Sequence, residues 1–487
     1  MRTLIRMASN FSRIQPHRIP QFRRRFLNIA AASFKDTSQL FNECNELMTW
    51  LRTKTGLEIS SVLAIGTSSY GRSLFASKPI EDGDCILKIP YTAHLTPDKI
   101  LPEVESLIVD DVGTVSRLAV VLLAEQKLGK NSDWFPYLKN LPRAVNMHNT
   151  IFWAPEELNM IQQSSIYHET VNLKSFLARE FSALKPVLQH FPSIFGDMRL
   201  DDFMHAYTLV ISRAWGTSNC ISLVPFADFL NHDGASEAVL LSDDDKEISE
   251  VIADRNYSVG EEVLIRYGKF SNSTLMLDYG FTLPHNINDQ VQIFMDVPLY
   301  DPLYKMKMEL LHKHPKLPIA EENCFSSSGC SFIMKEVKSS DRKGKGIPLA
   351  LRAFARVLTV STCEELNSLA TEASQSDGRL ARRPLKNMSN EIQAHCILLS
   401  KFKHMIKCHD AAVKELESSN APYCGTQLSV RRQMAIDLLR GEIRVLQSAS
   451  AWIANYCVGE IILCGHRTQR IRCSHVTQYR AVVPSSR

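Results

Sequence analysis

Residues 226 to 234 read FADFLNHDG and set Asp228, Asn231, His232 and Asp233 in one short stretch behind the apolar run Ile221-Ser222-Leu223-Val224-Pro225. Side chains of these types either hydrogen-bond a bound ligand or cap a helix, and for Asp and Asn after a strand the cap is the commoner use. Two tyrosines follow in GEEVLIRYGKFSNSTLMLDYGF, residues 260 to 281: Tyr267 in IRYG and Tyr279 in LDYGF. A single tyrosine is more often a core residue with a satisfied hydroxyl than a reactive one. Arg213 likewise fits a helix C-terminus, where a cation is stabilised by the dipole or by a carboxylate. None of these residues alone identifies a reaction.

The elements that must position them can be read from periodicity. Leu40, Phe41, Cys44, Leu47, Met48 and Leu51 recur at helical steps and stop before Gly56, which predicts a packing helix. The stretch from Ser60 to Pro90 reads as short strands broken at a glycine-bearing turn and at Glu81-Asp82-Gly83. Helices then take over, including Val115 to Leu128 with Leu118, Ala119, Leu122 and Leu123 on one face. A further helix, capped by Asp201 or Asp202, buries Phe203, Ala206, Tyr207, Val210, Ile211 and Ala214. Strands resume at Ile221 and close near Tyr267, so a helical block interrupts a β-rich domain. Beyond a loop at Ser326-Ser327-Ser328-Gly329, residues from Pro348 to Tyr456 read as long amphipathic helices, with Ile436, Leu439, Ile443 and Leu446 on one face. The helical period is expected to stop near Cys457, leaving a poorly ordered tail.

Composition sets the outer limits. A chain of 487 residues, 45% hydrophobic and 22% charged, is long enough for two or three cored domains and is not chiefly disordered. Its longest apolar run, Leu118 to Ala124, is far short of a membrane span, and no membrane association is expected. The net charge of +4 comes from the first 34 residues, which hold seven arginines and no Asp or Glu. Such a segment reads as an organellar transit peptide, with mitochondrion favoured over chloroplast because it is richer in Arg than in Ser, and a nucleic-acid arm is the lesser alternative. Twelve scattered cysteines without a CxxC pair point to free thiols in a reducing compartment. Cys457, Cys464, His466, Cys473 and His475 match no zinc spacing, and no metal site is expected.

Read together, FADFLNHDG, the 260 to 281 segment, GTSSYGRSLFA (66 to 76) and SDWFPYLKNLP (132 to 142) resemble, in order and spacing, the SET-domain protein methyltransferases of the Rubisco large-subunit methyltransferase class. The resemblance covers residues 40 to 457. It implies an α+β fold: a SET domain of small β-sheets with a pseudoknot and a helical insert, followed by an all-α substrate-binding domain. On this reading residues 1–35 are the transit peptide, 36–285 the SET domain with its insert at about 96–200, 286–457 the helical domain and 458–487 the tail. The resemblance places S-adenosylmethionine on Tyr70, Gly71, Arg72, Arg213, Asn231, His232 and Tyr267, with Tyr267 and Tyr279 catalytic and Asp228 and Tyr279 toward the substrate. The family's Asn-His-Ser is here Asn231-His232-Asp233, its glycine turn reads YGRS, and Thr217 stands where a second arginine is usual, which weakens transfer of its substrate contacts.

The implied reaction is an in-line displacement from a sulfonium to an amine, so the protein must chiefly align two partners and exclude water. A lysine ε-amine must first lose its proton, which a narrow apolar channel favours. The activity expected is protein-lysine N-methylation of a non-histone organellar protein by a monomer without nucleic-acid partners. Two alternatives remain: histidine methylation on a related scaffold, or a catalytically silent SET fold that binds a partner through its C-terminal helices.

Overall fold

The computed structural model describes residues 37–68, 71–216, 220–313, 329–340, 343–375, 380, 384–418 and 427–465. The arginine-rich leader, Tyr70, the Ser326-Ser327-Ser328 loop and the tail after Gly465 lie outside the described residues. The chain divides into two compact units, the first with its described residues within Met1–Gln162, Ile166–Asn288 and Ala421–Leu438.

The first unit opens with helix α1 (Thr37–Thr55), which buries Leu47 and Leu51 and ends where Gly56 takes φ +69. Strands β1 (Leu63–Ser68) and β2 (Gly71–Ala76) form an antiparallel hairpin. Strand β3 (Cys85–Pro90) pairs with β8 (Ile248–Ile252), which also carries β7 (Leu240–Asp243). Between them lies the helical insert, with α2 (Thr114–Leu128), a short helical turn at Phe135–Leu138 and the long α3 (Ile166–His190). Helix α4 (Leu200–Arg213) packs against α2 and buries Phe203, Ala206, Leu209 and Val210. Its cap differs from expectation. Asp202 is the third residue of the helix, not the residue before it, and its carboxylate accepts the Arg199 backbone N–H at 3.0 Å, a donor the first turn leaves open.

After α4 the chain makes β4 (Ala214–Gly216) and β5 (Ile221–Leu223), an antiparallel pair, and then β6 (Asn231–His232). Strand β6 runs parallel to β9 (Leu264–Ile265), matching Asn231 to Leu264 and His232 to Ile265. Leu74, Leu118, Phe203, Leu223, Phe226 and Ile265 belong to one core, so these small sheets and the insert bury a common apolar centre.

The second unit is mainly helical: α5 (Tyr304–Lys313), α6 (Leu349–Thr359), α7 (Cys363–Gln375), α8 (Met388–Ser418) and most of α9 (Gln427–Gly465). It adds a feature absent from the helical expectation, an antiparallel pair of β10 (Gln290–Asp296) and β11 (Gly329–Lys335). Val291, Ile293 and Met295 alternate inward on β10, the period of a half-buried strand. Helix α9 also continues to Gly465, past Cys457, because Gly459 lowers helix propensity without ending it.

Inside this unit Arg356 of α6 meets Glu391 of α8 in a fully buried fork, with Nε to Oε2 at 2.8 Å and Nη2 to Oε1 at 2.6 Å. The remaining capacity of the carboxylate is filled by the Tyr456 hydroxyl at 3.0 Å and the Leu385 N–H at 3.0 Å. Full satisfaction of this kind is what makes a buried ion pair tolerable. Cys85, Cys330, Cys363 and Cys408 are free thiols, and among the described residues no helix is long and apolar enough to cross a membrane.

Candidate active site

The strand β5 delivers the chain into a turn at Phe226, a buried non-glycine residue with φ 75. That region is disfavoured for a bulky side chain and costs on the order of 1–3 kcal/mol, so the surrounding core must hold it there. The turn drives Asp228 inward. Its Oδ2 accepts from the Tyr137 hydroxyl at 2.9 Å and from Arg213 Nη1 at 3.1 Å, while Oδ1 is buried with no hydrogen-bond partner. The same Arg213 nitrogen donates to the Asp228 carbonyl at 2.9 Å. Burial pushes the Asp228 carboxyl up, opposed by the Arg213 charge. Burial alone would depress the Arg213 guanidinium, but the adjacent carboxylate holds it above its usual value.

Two residues further on, the Leu230 carbonyl accepts the Tyr267 hydroxyl at 2.6 Å, and the Tyr267 backbone N–H donates to His232 Nδ1 at 3.1 Å. Tyr267 is thus held at both ends by one segment. Its ring meets Trp215 edge-on at 5.6 Å and leans on Tyr279 at 5.3 Å and His232 at 5.1 Å. Tyr279 ends a π-helical turn, Leu275–Tyr279, and is flanked by Phe270 and Phe281. Gly280 follows with φ 77, and a side chain there would strike Asn149, whose Nδ2 donates to the Leu277 carbonyl at 3.1 Å. Burial raises both tyrosine hydroxyls, so each keeps its proton across the physiological range.

Ser212, Arg213, Ala214, Trp215, Asp228, Tyr267 and Tyr279 line one cleft. Four of the residues singled out in the sequence therefore meet there. Trp215 is not among those four: an aromatic two residues past Arg213, in SRAWG, reads as ordinary core until Tyr267 is seen against it.

Asn231 of the same segment reaches Ser68 and Arg72 of the β1–β2 hairpin, next to Gly71, while His232 packs on Tyr267. Asn231 Nδ2 lies 3.2 Å from Glu262 Oε1, 3.4 Å from Ser68 Oγ and 3.5 Å from the Arg72 carbonyl, tying β6 to the β1–β2 hairpin. Arg72 Nη1 donates to Asn140 Oδ1 at 2.6 Å and to its carbonyl at 2.8 Å, and the guanidinium sits 5.6 Å over the Phe229 ring. Asp233, the last of the polar four, accepts the Ala235 N–H at 2.8 Å and so shapes its own turn.

These residues suit a nucleoside-bearing cofactor. Gly71 has φ +101 and open space where a Cβ would stand, so a ligand can approach the backbone closely. His232 Nδ1 accepts from Tyr267, which fixes the proton on Nε2, and that nitrogen is a buried donor with no protein partner.

Burial also lowers His232 to a pKa of about 4, as it does His94 and His395. A histidine whose folded value lies below its unfolded value of 6.5 binds more protons unfolded than folded between the two, so stability rises with pH through that window. Urea unfolding should accordingly show the chain losing on the order of a few kcal/mol between pH 6.5 and pH 4. A flat midpoint across that range would contradict three neutral buried imidazoles.

Two family profiles match the chain: the SET domain over residues 71–268 and the Rubisco LSMT substrate-binding domain over residues 298–446. Among similar proteins is the chloroplastic [fructose-bisphosphate aldolase]-lysine N-methyltransferase of Arabidopsis thaliana, 24% identical over 84% of this chain and 83% of that one. The chloroplastic Rubisco large-subunit N-methyltransferase of Nicotiana tabacum is 24% identical over 82% and 79%. The actin-histidine N-methyltransferase of Homo sapiens is 25% identical over 83% and 67%. A solved structure of Rubisco LSMT bound to AdoMet superposes with a TM-score of 0.66 over 90% of this chain and 99% of that one, at 21% identity, and shares the fold. With a SET domain around the cleft and the companion domain after it, the chain belongs to the SET-domain methyltransferases of the Rubisco large-subunit methyltransferase class.

Proposed function

We propose that the protein is a protein-lysine N-methyltransferase that uses S-adenosylmethionine, with Tyr267 and Tyr279 at the reacting end of the cleft. The observation that carries this reading is the aromatic cleft itself, walled by Trp215, Tyr267 and Tyr279 beside the Asn231–His232 segment. When bound, the cofactor supplies an electrophilic methyl group. Gly71, Arg72, Asn231 and His232 would hold it, with Arg213 and Tyr267 at its border.

The chain's own part is to dry and align the amine. A lysine ε-amine has a reference pKa near 10.4 and enters low-dielectric surroundings more easily without its charge. Tyr267 has spent its hydroxyl proton on Leu230, so its oxygen offers only lone pairs to the cleft, and an amine N–H donated there leaves the nitrogen lone pair for the displacement. Asp228 sits on the substrate side, with Oδ1 as an acceptor that no protein group satisfies. Neither tyrosine titrates near neutrality, so the rate should rise with pH from 6 to 9 as the amine deprotonates. A pH-independent rate would count against a neutral amine nucleophile.

The substrate is a protein, recognised through residues 298–446, and the chloroplastic relatives together with the arginine-rich leader support an organellar target. Histidine is the second reading, favoured by the actin-histidine relatives, which span as much of the chain as the lysine enzymes do. One experiment addresses both. The purified chain is incubated with methyl-labelled S-adenosylmethionine and a heat-treated soluble extract, and the labelled protein is hydrolysed to amino acids. Labelled methyl-lysine is expected, methylhistidine would shift the assignment, and absence of both label and cofactor binding would favour the silent scaffold.

A further inference from the structure

Residues 137 to 140 of the helical insert touch both halves of the site. Tyr137, wholly buried, reaches Asp228 through its hydroxyl, across ninety-one positions of sequence. Asn140, less than one helical turn later, receives Arg72 through both its carbonyl and its side-chain oxygen, and Asn140 Nδ2 is in turn anchored on the Pro136 carbonyl at 2.7 Å. Arg72 then lies over Phe229, the neighbour of Asp228. A rigid span of four residues thus holds the first residues of β2 with one end and the cleft aspartate with the other.

We propose that Tyr137 and Asn140 are positioning residues for methyl transfer, Tyr137 orienting Asp228 on the substrate side and Asn140 orienting Arg72 on the cofactor side. The proposal rests on the methyltransferase reading above. Asp228 is faced by Arg213 from α4, by Tyr137 from the insert and by Tyr267 from the segment after β9. Of these, Arg213 and the Tyr137 hydroxyl favour its charged form against burial. Removing the hydroxyl weakens that support and should bring protonation of Asp228 closer to working pH. A tyrosine that merely filled space would leave the pH profile of its phenylalanine variant unchanged.

The test compares the full-length parent with Tyr137→Phe, Asn140→Ala, Asp228→Asn and the double variant Tyr137→Phe/Asp228→Asn. The readouts are thermal unfolding, calorimetric binding of S-adenosylmethionine, and the pH dependence of label transfer from that cofactor to the heat-treated soluble extract. Below the rise set by the amine, the steeper acid limb due to protonation of Asp228 is expected to move up by about one pH unit in Tyr137→Phe, the equivalent of one hydrogen bond to a charged group, with cofactor affinity within about twofold of the parent. Asn140→Ala should show the reverse pattern, an affinity loss of about three- to tenfold with the acid limb in place. The double variant should follow the profile of Asp228→Asn, since the effect of Tyr137 passes through that carboxylate.

A Tyr137→Phe profile superposable on the parent, or one that still shifts when Asp228 is already Asn, overturns the Tyr137 assignment. Unchanged cofactor affinity in Asn140→Ala overturns the other. Should Tyr137→Phe fail to fold, the pH profile of Asp228→Asn decides, and an acid limb as in the parent overturns the Tyr137 assignment; should Asn140→Ala fail to fold, Arg72→Ala decides, and cofactor affinity within about twofold of the parent overturns the Asn140 assignment. A parent that transfers no label ends this proposal together with the reading beneath it, whereas an active parent with parent-like variants ends this proposal alone.

Discussion

Tyr267→Phe is expected to lower methyl transfer by about a hundred- to a thousandfold, equivalent to roughly 3 to 4 kcal/mol of transition-state stabilisation. The ring survives in the variant, so its contacts with Trp215, Tyr279 and His232 survive too, and the backbone N–H still reaches His232. What goes is the oxygen proposed to face the amine and the bond that fixed it to the Leu230 carbonyl. That carbonyl is then a buried acceptor without its donor, at a cost of about 1–3 kcal/mol in stability, which acts on folding and not on the rate of the folded enzyme. Cofactor affinity should fall much less than turnover, since Gly71, Asn231 and His232 are untouched. Rate, affinity and melting temperature measured on one preparation separate the two roles: near-normal turnover would return Tyr267 to the rank of a packing residue.

Glu391→Ala should cost about 3–5 kcal/mol of stability, an effect of similar size with the opposite signature, because it acts on folding rather than on the reaction. The substitution leaves the Arg356 guanidinium in the core without its carboxylate and deprives Tyr456 and the Leu385 N–H of their acceptor. A double variant, Arg356→Met with Glu391→Leu, should regain the part due to the stranded charge but not the two lost acceptors. Burial tends to raise the Glu391 carboxyl, yet Arg356 holds it below the ordinary value of 4.5. A depressed carboxylate contributes stability that is present above its unfolded value and lost as pH falls through the folded one. The parent should therefore lose further stability as pH falls below 4.5, and Glu391→Ala should lose less over the same range. A urea midpoint for Glu391→Ala equivalent to less than 1 kcal/mol would show that the pair contributes little.

Much of the scaffold is legible because it is written in local periodicity. The inward face of α2 and the row Ile436, Leu439, Ile443 and Leu446 on α9 are buried as their spacing requires. The cleft residues on the FADFLNHDG and IRYG segments stand out because several short motifs occur in order. What escapes is non-local or masked by a commoner use. Tyr137 sits in a helical turn among Trp134, Phe135 and Leu138, where an aromatic is core by default, and its link to Asp228 crosses the insert. Trp215 is hidden in the same way. The β10–β11 pair joins strands separated by a helix and a long connection, so neither strand carries a hairpin signal. Asp202 shows the opposite limit: residue type marks the helix start, but a capping carboxylate serves as well from the third position as from the one before it.

The parallel pairing of β6 with β9 has a kinetic side. Asn231 bonds back to Ser68 and Arg72, more than one hundred and fifty residues earlier, and His232 to Tyr267, thirty-five residues later. Such contacts carry a loop-closure cost that is met only once the insert and the flanking hairpins have found their places. Helices such as α2 and α4 can gather early from local contacts, whereas the cleft exists only when both ends of the first unit have met around residues 226 to 232. For a chain emerging from synthesis, chemical competence is the last property to arrive, and an unfinished fold is an inactive one.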